Sequence, residues 1–368
     1  MAKPRKGEQS VGLETRHIFL DTEVYKSCGH NLYAKPMQVL GRYVEDGVFV
    51  LHTTDVTLRE VRRQIGDMER ELANKANSVA RQLQRWNRRY RHTGDGLPVP
   101  QALEPSEDSA AYRDFEWTVR FDWKARVHAA SDQLVGPVLD RYFERQAPFD
   151  SEGSKEFPDA FALLAVENWC AAAQERVYVV SKDKAVGRAA RASEHLIAVE
   201  GLHRLLALVG SAEGHDIADA ARDAFDEPSF RAALLDGLAQ GIGEMGGEYR
   251  GDRYLEGDVL ALEVEELESV ADVTILRVDE KQVACVADAR LAVSAEIDYT
   301  DVSEAWWDRE DQRYYGAETG VAEIRDVVAA KIFVELVRDG EDFGLGSVGF
   351  LSQDLEVSDG AGDEWPYK

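Results

Sequence analysis

Two short apolar runs in this chain end in acid, and they fix the kind of fold it can adopt. "IFLDT" carries Ile18, Phe19 and Leu20 into Asp21, and "VYVVSKD" carries Val177 to Val180 into Asp183. Each run reads as a buried strand bounded by a polar turn. A carboxylate is costly to bury unless something cationic meets it. Two strands delivering acids at their carboxyl ends therefore call for a shared site. In open parallel sheets such sites form beyond the carboxyl ends of the strands.

The segments between and around these strands alternate with helices. "GVFVLHTTDVTLREVRRQI" (47–65) reads as a strand, a Thr/Asp cap and a helix, and "FPDAFALLAVENWCAAAQ" (157–174) has helical periodicity. A helical, basic stretch follows at 66–91, then a Gly/Pro/acid-rich loop at 93–109. A second long helical stretch is expected over roughly 110–146, ending before Pro148. The order is that of an α/β domain, a parallel sheet flanked by helices, over residues 1–198. It carries a helical insertion at about 66–148. Residues 199–250 read as a helical connector. Residues 251–368 alternate in β fashion, with a turn near Asp279–Lys281, and read as an acidic α+β or β-rich domain.

Charge separates these parts. The whole chain carries −26, but residues 251–368 hold 30 Asp/Glu against 10 Lys/Arg. Residues 59–92 hold ten Lys/Arg against four Asp/Glu. The acidic domain repels a polyanion, while the basic stretch attracts one. Three scattered cysteines, with no CxxC, fit a reducing cytoplasm and argue against a thiolate zinc site. The start "MAKPRKGEQS" has no apolar stretch behind it, and no run approaches the roughly 20 apolar residues of a membrane span. "GIGEMG" and "GLGSVG" match GxGxxG, but neither lies between a strand and a helix, so neither binds a dinucleotide. "DFG" at 342–344 has no other kinase element beside it.

Two helix starts add acids to those of the strands: Glu60 in "TTDVTLREV" and Asp159 in "FPDAF". Helix starts that follow such strands lie on the same edge of the sheet. Four carboxylates converging there repel one another, and the usual remedy is a hard divalent cation, Mg²⁺ or Mn²⁺. A cation so held can bind a phosphodiester and generate a nucleophilic hydroxide. A further acid, Glu23, follows Asp21 with Thr22 between them. "RQLQRWNRRYRH" interleaves Arg81, Arg85, Arg88 and Arg89 with Trp86, arginine for phosphate and the aromatic ring for stacking on bases. The alternative for this stretch is a solvated helix end with Trp86 packed inside. Lys155 and Lys182 flank the acids and are further candidates for phosphate.

At these residues the chain resembles the PIN domain nucleases, specifically a bacterial branch with a helical insertion. The matching segments are "HIFLDTEVY", "TTDVTLREV", "KEFPDAFALLAVENW" and "VYVVSKDKA", over about 17–65 and 150–195. The resemblance implies that Asp21, Glu60, Asp159 and Asp183 bind the metal and carry catalysis, with Thr22 and Ser181 in support. The family often has Asn where this chain has Glu23. The implied activity is Mg²⁺- or Mn²⁺-dependent cleavage of RNA or single-stranded nucleic acid in the cytoplasm, by an endoribonuclease serving as a toxin or defence effector. A scaffold that kept the fold, with the acidic domain as its protein-binding or self-associating surface, is the alternative. A haloacid dehalogenase-type phosphatase needs Asp-x-Asp, and Glu23 stands at its third position. The cluster "AWWDREDQRYY" (305–315) is expected to place at least half of Trp306, Trp307, Tyr314 and Tyr315 in a core.

Overall fold

The computed structural model describes residues 12–358 except 91–95, 105–108, 151–155, 211–214, 251–254, 302–304, 309–312, 341 and 353. The chain packs as two compact units that part between Leu202 and His203. No helix among the described residues is long and apolar enough to cross a membrane.

The first unit runs β1 (His17–Leu20), α1 (Thr22–Ser27), α2 (Lys35–Glu45), β2 (Val50–Thr54), α3 (Asp55–Arg89) and α4 (Ala110–Trp117). It continues with β3 (Arg126–His128), α5 (Val135–Phe143), α6 (Phe157–Ala173), β4 (Val177–Val180), α7 (Lys184–Ala192) and β5 (Leu196–Val199). The five strands form one sheet in the order β3-β2-β1-β4-β5, and every neighbouring pair is parallel. β1 and β4, the two runs that end in acid, lie side by side at its centre, with Leu20 opposite Val180. All four residues of each are buried, as the middle of a sheet covered on both faces requires. Phe19, Val177 and Val179 pack under Leu163, Val166 and Cys170 of α6 and Val186 and Ala190 of α7.

Residues 110–146 are not one helix. α4 ends in a single π turn at Thr118–Asp122. Lys124 then takes a left-handed φ of 51° that ends helical winding. The chain returns as β3, which pairs with the free edge of β2. His128 on β3 bonds His52 on β2, Nε2 to Nδ1, at 2.8 Å, and His52 Nε2 meets His17 Nδ1 on β1 at 3.0 Å. A three-imidazole chain thus crosses three strands beneath Trp169 of α6, whose ring is 4.2 Å from that of His52. Burial lowers the pKa of all three histidines and pushes His52 down to about 3.

α3 runs unbroken through Gly66 for 35 residues, about 52 Å at the helical rise. Thr54 caps it, its hydroxyl accepting from Thr57 N at 3.0 Å. Beyond the body of the unit it carries a chain segment along one side. Asn77 holds both backbone groups of Leu103, and Asn87 both of Leu97, at 2.7–2.8 Å.

The second unit contains α8 (Leu202–Gly210) from its second residue on, α9 (His215–Asp223), α10 (Pro228–Gly241), β6 (Gly246–Tyr249), β7 (Leu255–Val278) and β8 (Gln282–Asp301). β9 (Trp306–Asp308), β10 (Arg313–Tyr315), β11 (Glu318–Asp339), β12 (Asp342–Phe350) and β13 (Asp354–Val357) follow. Its six-stranded mixed sheet has the order β12-β11-β8-β7-β6-β13. β7 and β8 turn at Asp279, whose N–H bonds Gln282 O at 2.8 Å. Alternate residues of β8, from Val283 to Ile297, are buried with those of β11 and with Phe230, Leu234 and Leu238 of α10. The helical stretch 203–241 is therefore built into this unit. β9 and β10 form a separate two-stranded hairpin. Having no large sheet face to lie on, it leaves Trp306 61% and Trp307 48% exposed. At least half of the four aromatics here are expected in a core, and neither tryptophan is buried. Tyr315 is half-buried, stacked on Trp306 at 5.2 Å, and the side chain of Tyr314 lies outside the described residues.

Candidate active site

Strand order reverses at β1: the chain proceeds to β2 and β3 on one side and returns to β4 and β5 on the other. The carboxyl edge at such a reversal is where open α/β sheets place their sites. Asp21 is the first residue beyond β1 and the N-cap of α1. Ser181 is the first beyond β4. Asp183 is the N-cap of α7, its Oδ1 accepting from Ala185 N at 2.5 Å and Val186 N at 3.2 Å. Glu60 lies in the second turn of α3, and Asp159 in the first turn of α6. α6 runs back against the strands, so its start lies at this same edge.

Hydrogen bonds tie these groups together. Asp21 is 6% exposed. Its Oδ1 accepts from Thr22 N at 2.7 Å and its Oδ2 from the Ser181 hydroxyl at 2.6 Å. Ser181 Oγ accepts in turn from Asp183 N at 2.9 Å. The Thr22 hydroxyl donates to Glu60 Oε2 at 2.9 Å. Glu23 Oε2 accepts from Lys182 N at 3.3 Å. Thr22 and Ser181 thus orient the carboxylates of Asp21 and Glu60, and Ser181 also fixes the backbone at Asp183.

The electrostatics record how closely the acids approach. Burial pushes the Asp21 carboxyl up to about 6, against the pull of its Ser181 and Thr22 donors, with Glu23 and Asp183 adding repulsion. Asp159 is pushed up to about 8, first by burial, then by Asp21, by a hydrogen bond with Glu156 and by Glu60. Glu156, the N-cap residue of α6, is a further acid of the site. Sequence reasoning missed it. The available signal was an acid three residues before Asp159, at the start of a helix whose N-terminus was already assigned to the site.

Among the described residues none of these acids forms an ion pair with Lys or Arg. Carboxylate oxygens without a balancing cation are the donor set of Mg²⁺ or Mn²⁺. Among the described residues no three such side chains are drawn in closely enough to enclose an ion by themselves. Mg²⁺ is commonly held through one or two carboxylates, with its remaining positions filled by water.

The structure does not bring the basic stretch to this edge. Trp86 lies 26 residues beyond Glu60 on one straight helix, about 39 Å along its axis. Arg81, Arg85, Arg88 and Arg89 are exposed there. Trp86 is 51% exposed and lies 4.3 Å from the Tyr90 ring, so it is not packed inside. Lys182 is exposed beside Asp183. Lys155 lies outside the described residues.

No curated protein matches the chain. A family model described as PIN domain matches residues 18–185, from the middle of β1 to the start of α7, a span that holds all four predicted acids. With the parallel five-stranded sheet and the acids gathered at its carboxyl edge, residues 18–185 are similar to the PIN domain nucleases in both sequence and fold.

Proposed function

We propose that this protein is a divalent-metal-dependent nuclease that hydrolyses phosphodiester bonds, with RNA as its substrate and cleavage at internal positions. The observation that carries the reading is the gathering of Asp21, Glu60, Asp159 and Asp183 at the carboxyl edge of the sheet, with Asp21 and Glu60 tied together through Thr22 and Asp21 tied to β4 through Ser181. Buried acids perturbed by desolvation and by one another, clustered at a sheet edge, are a feature of functional sites. Asp21, Glu60, Asp159 and Asp183 would hold Mg²⁺ or Mn²⁺. When bound, the cation supplies an activated water and charge stabilisation at the phosphate.

The chain's own residues set up that chemistry. Ser181 and Thr22 hold the Asp21 and Glu60 carboxylates in fixed orientations, so little reorganisation is left for the reaction. Asp159 must lose its proton before it can ligate. The exposed arginines and Trp86 on α3 support binding of a single strand at a distance from the cut. The three unpaired thiols, Cys28, Cys170 and Cys285, fit a cytoplasmic setting.

The test is cleavage of internally labelled RNA and of single-stranded DNA with Mg²⁺, Mn²⁺ or chelator, alongside Asp159→Asn. The proposal expects metal-dependent fragments from RNA that vanish in chelator and in the variant. Equal cleavage by the wild type and Asp159→Asn, or cleavage undiminished by chelator, would overturn it.

A further inference from the structure

Asp183 also borders a cleft of about 320 Å³ between β4, β5 and α7. Its volume is at the lower end of small-ligand sites, roughly 300–1,000 Å³, which suits one nucleotide and excludes a duplex. Its floor is apolar, formed by Val179, Ala198 and Val199. Its wall is cationic: Lys182, Lys184, Arg188 and Arg191 all line it.

These cations differ in what they already hold. Arg188 is occupied, gripping Asp150 through Nε at 2.5 Å and a terminal nitrogen at 2.8 Å. Lys182, Lys184 and Arg191 have no ion-pair partner among the described residues. The Arg191 guanidinium lies back across Gly187, 3.6 Å from where a β-carbon there would sit, so it borders the cleft. Beside Asp183 of the acid cluster, a second exposed acid, Glu200, lines it. A purely phosphate-binding pocket has no use for that acceptor. A nucleotide does, because its sugar hydroxyls and base amines are donors.

The cleft is continuous with the acid cluster. Ser181 and Asp183 line it, and the same Ser181 hydroxyl donates to Asp21. A strand whose scissile phosphate lies at Asp21 and Asp159 therefore has its neighbouring nucleotide at the mouth of this cleft.

We propose that this cleft is a subsite for the nucleotide adjoining the scissile phosphodiester. Lys184 and Arg191 hold its phosphate, the apolar floor takes its sugar, and Glu200 accepts from a sugar hydroxyl or base amine. The inference rests on the nuclease reading. It makes Lys184 and Arg191 positioning residues, and it sets the path of the bound strand across the start of α7.

The test uses the full chain and a four-nucleotide single-stranded RNA. Binding is followed by fluorescence anisotropy across salt concentrations in an Asp159→Asn background, and cleavage kinetics in the otherwise unaltered protein. Lys184→Ala with Arg191→Ala is expected to weaken binding roughly tenfold. It should also lower the slope of log affinity against log salt by about 0.7 for each phosphate that is no longer neutralised. In cleavage the loss should fall on KM, with kcat largely kept, and Arg191→Lys should restore part of it. Both side chains are exposed, and an unchanged melting temperature verifies the fold. An unchanged affinity and salt slope in the double variant, with the parent binding and cleaving normally, would overturn the subsite alone. Absence of any binding or cleavage by the parent would overturn the nuclease reading and the subsite with it.

Discussion

Ser181 donates its hydroxyl hydrogen to Asp21 Oδ2 at 2.6 Å, joining the ends of the two central strands. The same oxygen accepts from Asp183 N at 2.9 Å. One hydroxyl thereby fixes the orientation of one carboxylate and the backbone position of another. Ser181→Ala removes both restraints. Groups that orient metal ligands typically carry about 10–100-fold in metal affinity or activity. The expected result is a loss in that range, seen as a higher Mg²⁺ concentration for half-maximal cleavage, with the circular dichroism spectrum unchanged.

The two raised carboxyls give a pH dependence of definite sign. Between the ordinary carboxylate value and about 8 the native Asp159 keeps a proton that the unfolded chain releases. The native state binds more protons, so metal-free stability falls as pH rises through this window and levels off above it. Asp21 adds the same trend up to about 6. Asp159→Asn should raise the melting temperature in chelator at pH 8 by an amount equivalent to roughly 1–3 kcal/mol, and have little effect at pH 4. At limiting Mg²⁺, wild-type cleavage should climb between pH 6 and 8.

The histidine chain works in the opposite direction. His17, His52 and His128 have lowered pKa values because burial disfavours the imidazolium. The unfolded chain takes up protons below about 6.5 that the native state refuses. Stability is therefore full above that pH and is lost as pH falls toward about 3, the value for His52. Thermal melts in chelator should show this acid limb. His52→Leu should flatten it, while lowering stability at pH 7.5 by about 1–3 kcal/mol because His17 and His128 lose their partner.

The distance between the α3 arginines and the acids predicts a length effect. Reversing charge at Arg85, Arg88 and Arg89 should weaken binding of a long single strand and flatten its salt dependence. A substrate of about four nucleotides cannot reach from Glu60 to Trp86, about 39 Å along the helix, and should be cleaved unchanged. Equal losses for both lengths would place the arginines' effect elsewhere.

Much of the first unit was legible in the sequence because its signals are redundant. Asp21 and Asp183 each end a continuous apolar run, and Asp159 follows a proline at a helix start. What escaped has a physical reason in each case. β3 is three residues long, too short for any periodicity to show, and it exists because β2 offers a free edge and His52 a bonding partner. The histidine chain draws on residues 17, 52 and 128, whose closeness is a product of strand pairing alone. Glu156 looked like an ordinary helix-start acid. Trp306 and Trp307 are large and apolar like core residues, but their hairpin pairs only with itself.

The central position of β4 also governs when in the life of the molecule a working site can exist. Translation delivers β1, β2 and α3 early, with Asp21 and Glu60, but β1 then has one edge open. It is closed only by a strand that emerges more than 150 residues later, a long-range pairing with a loop-closure cost that must be overcome before it is rewarded. Until β4 slots in beside β1, Asp21 lacks Ser181 and the cluster lacks Asp183. A growing polypeptide on the ribosome therefore carries an incomplete acid cluster, which closes only with the last central strand.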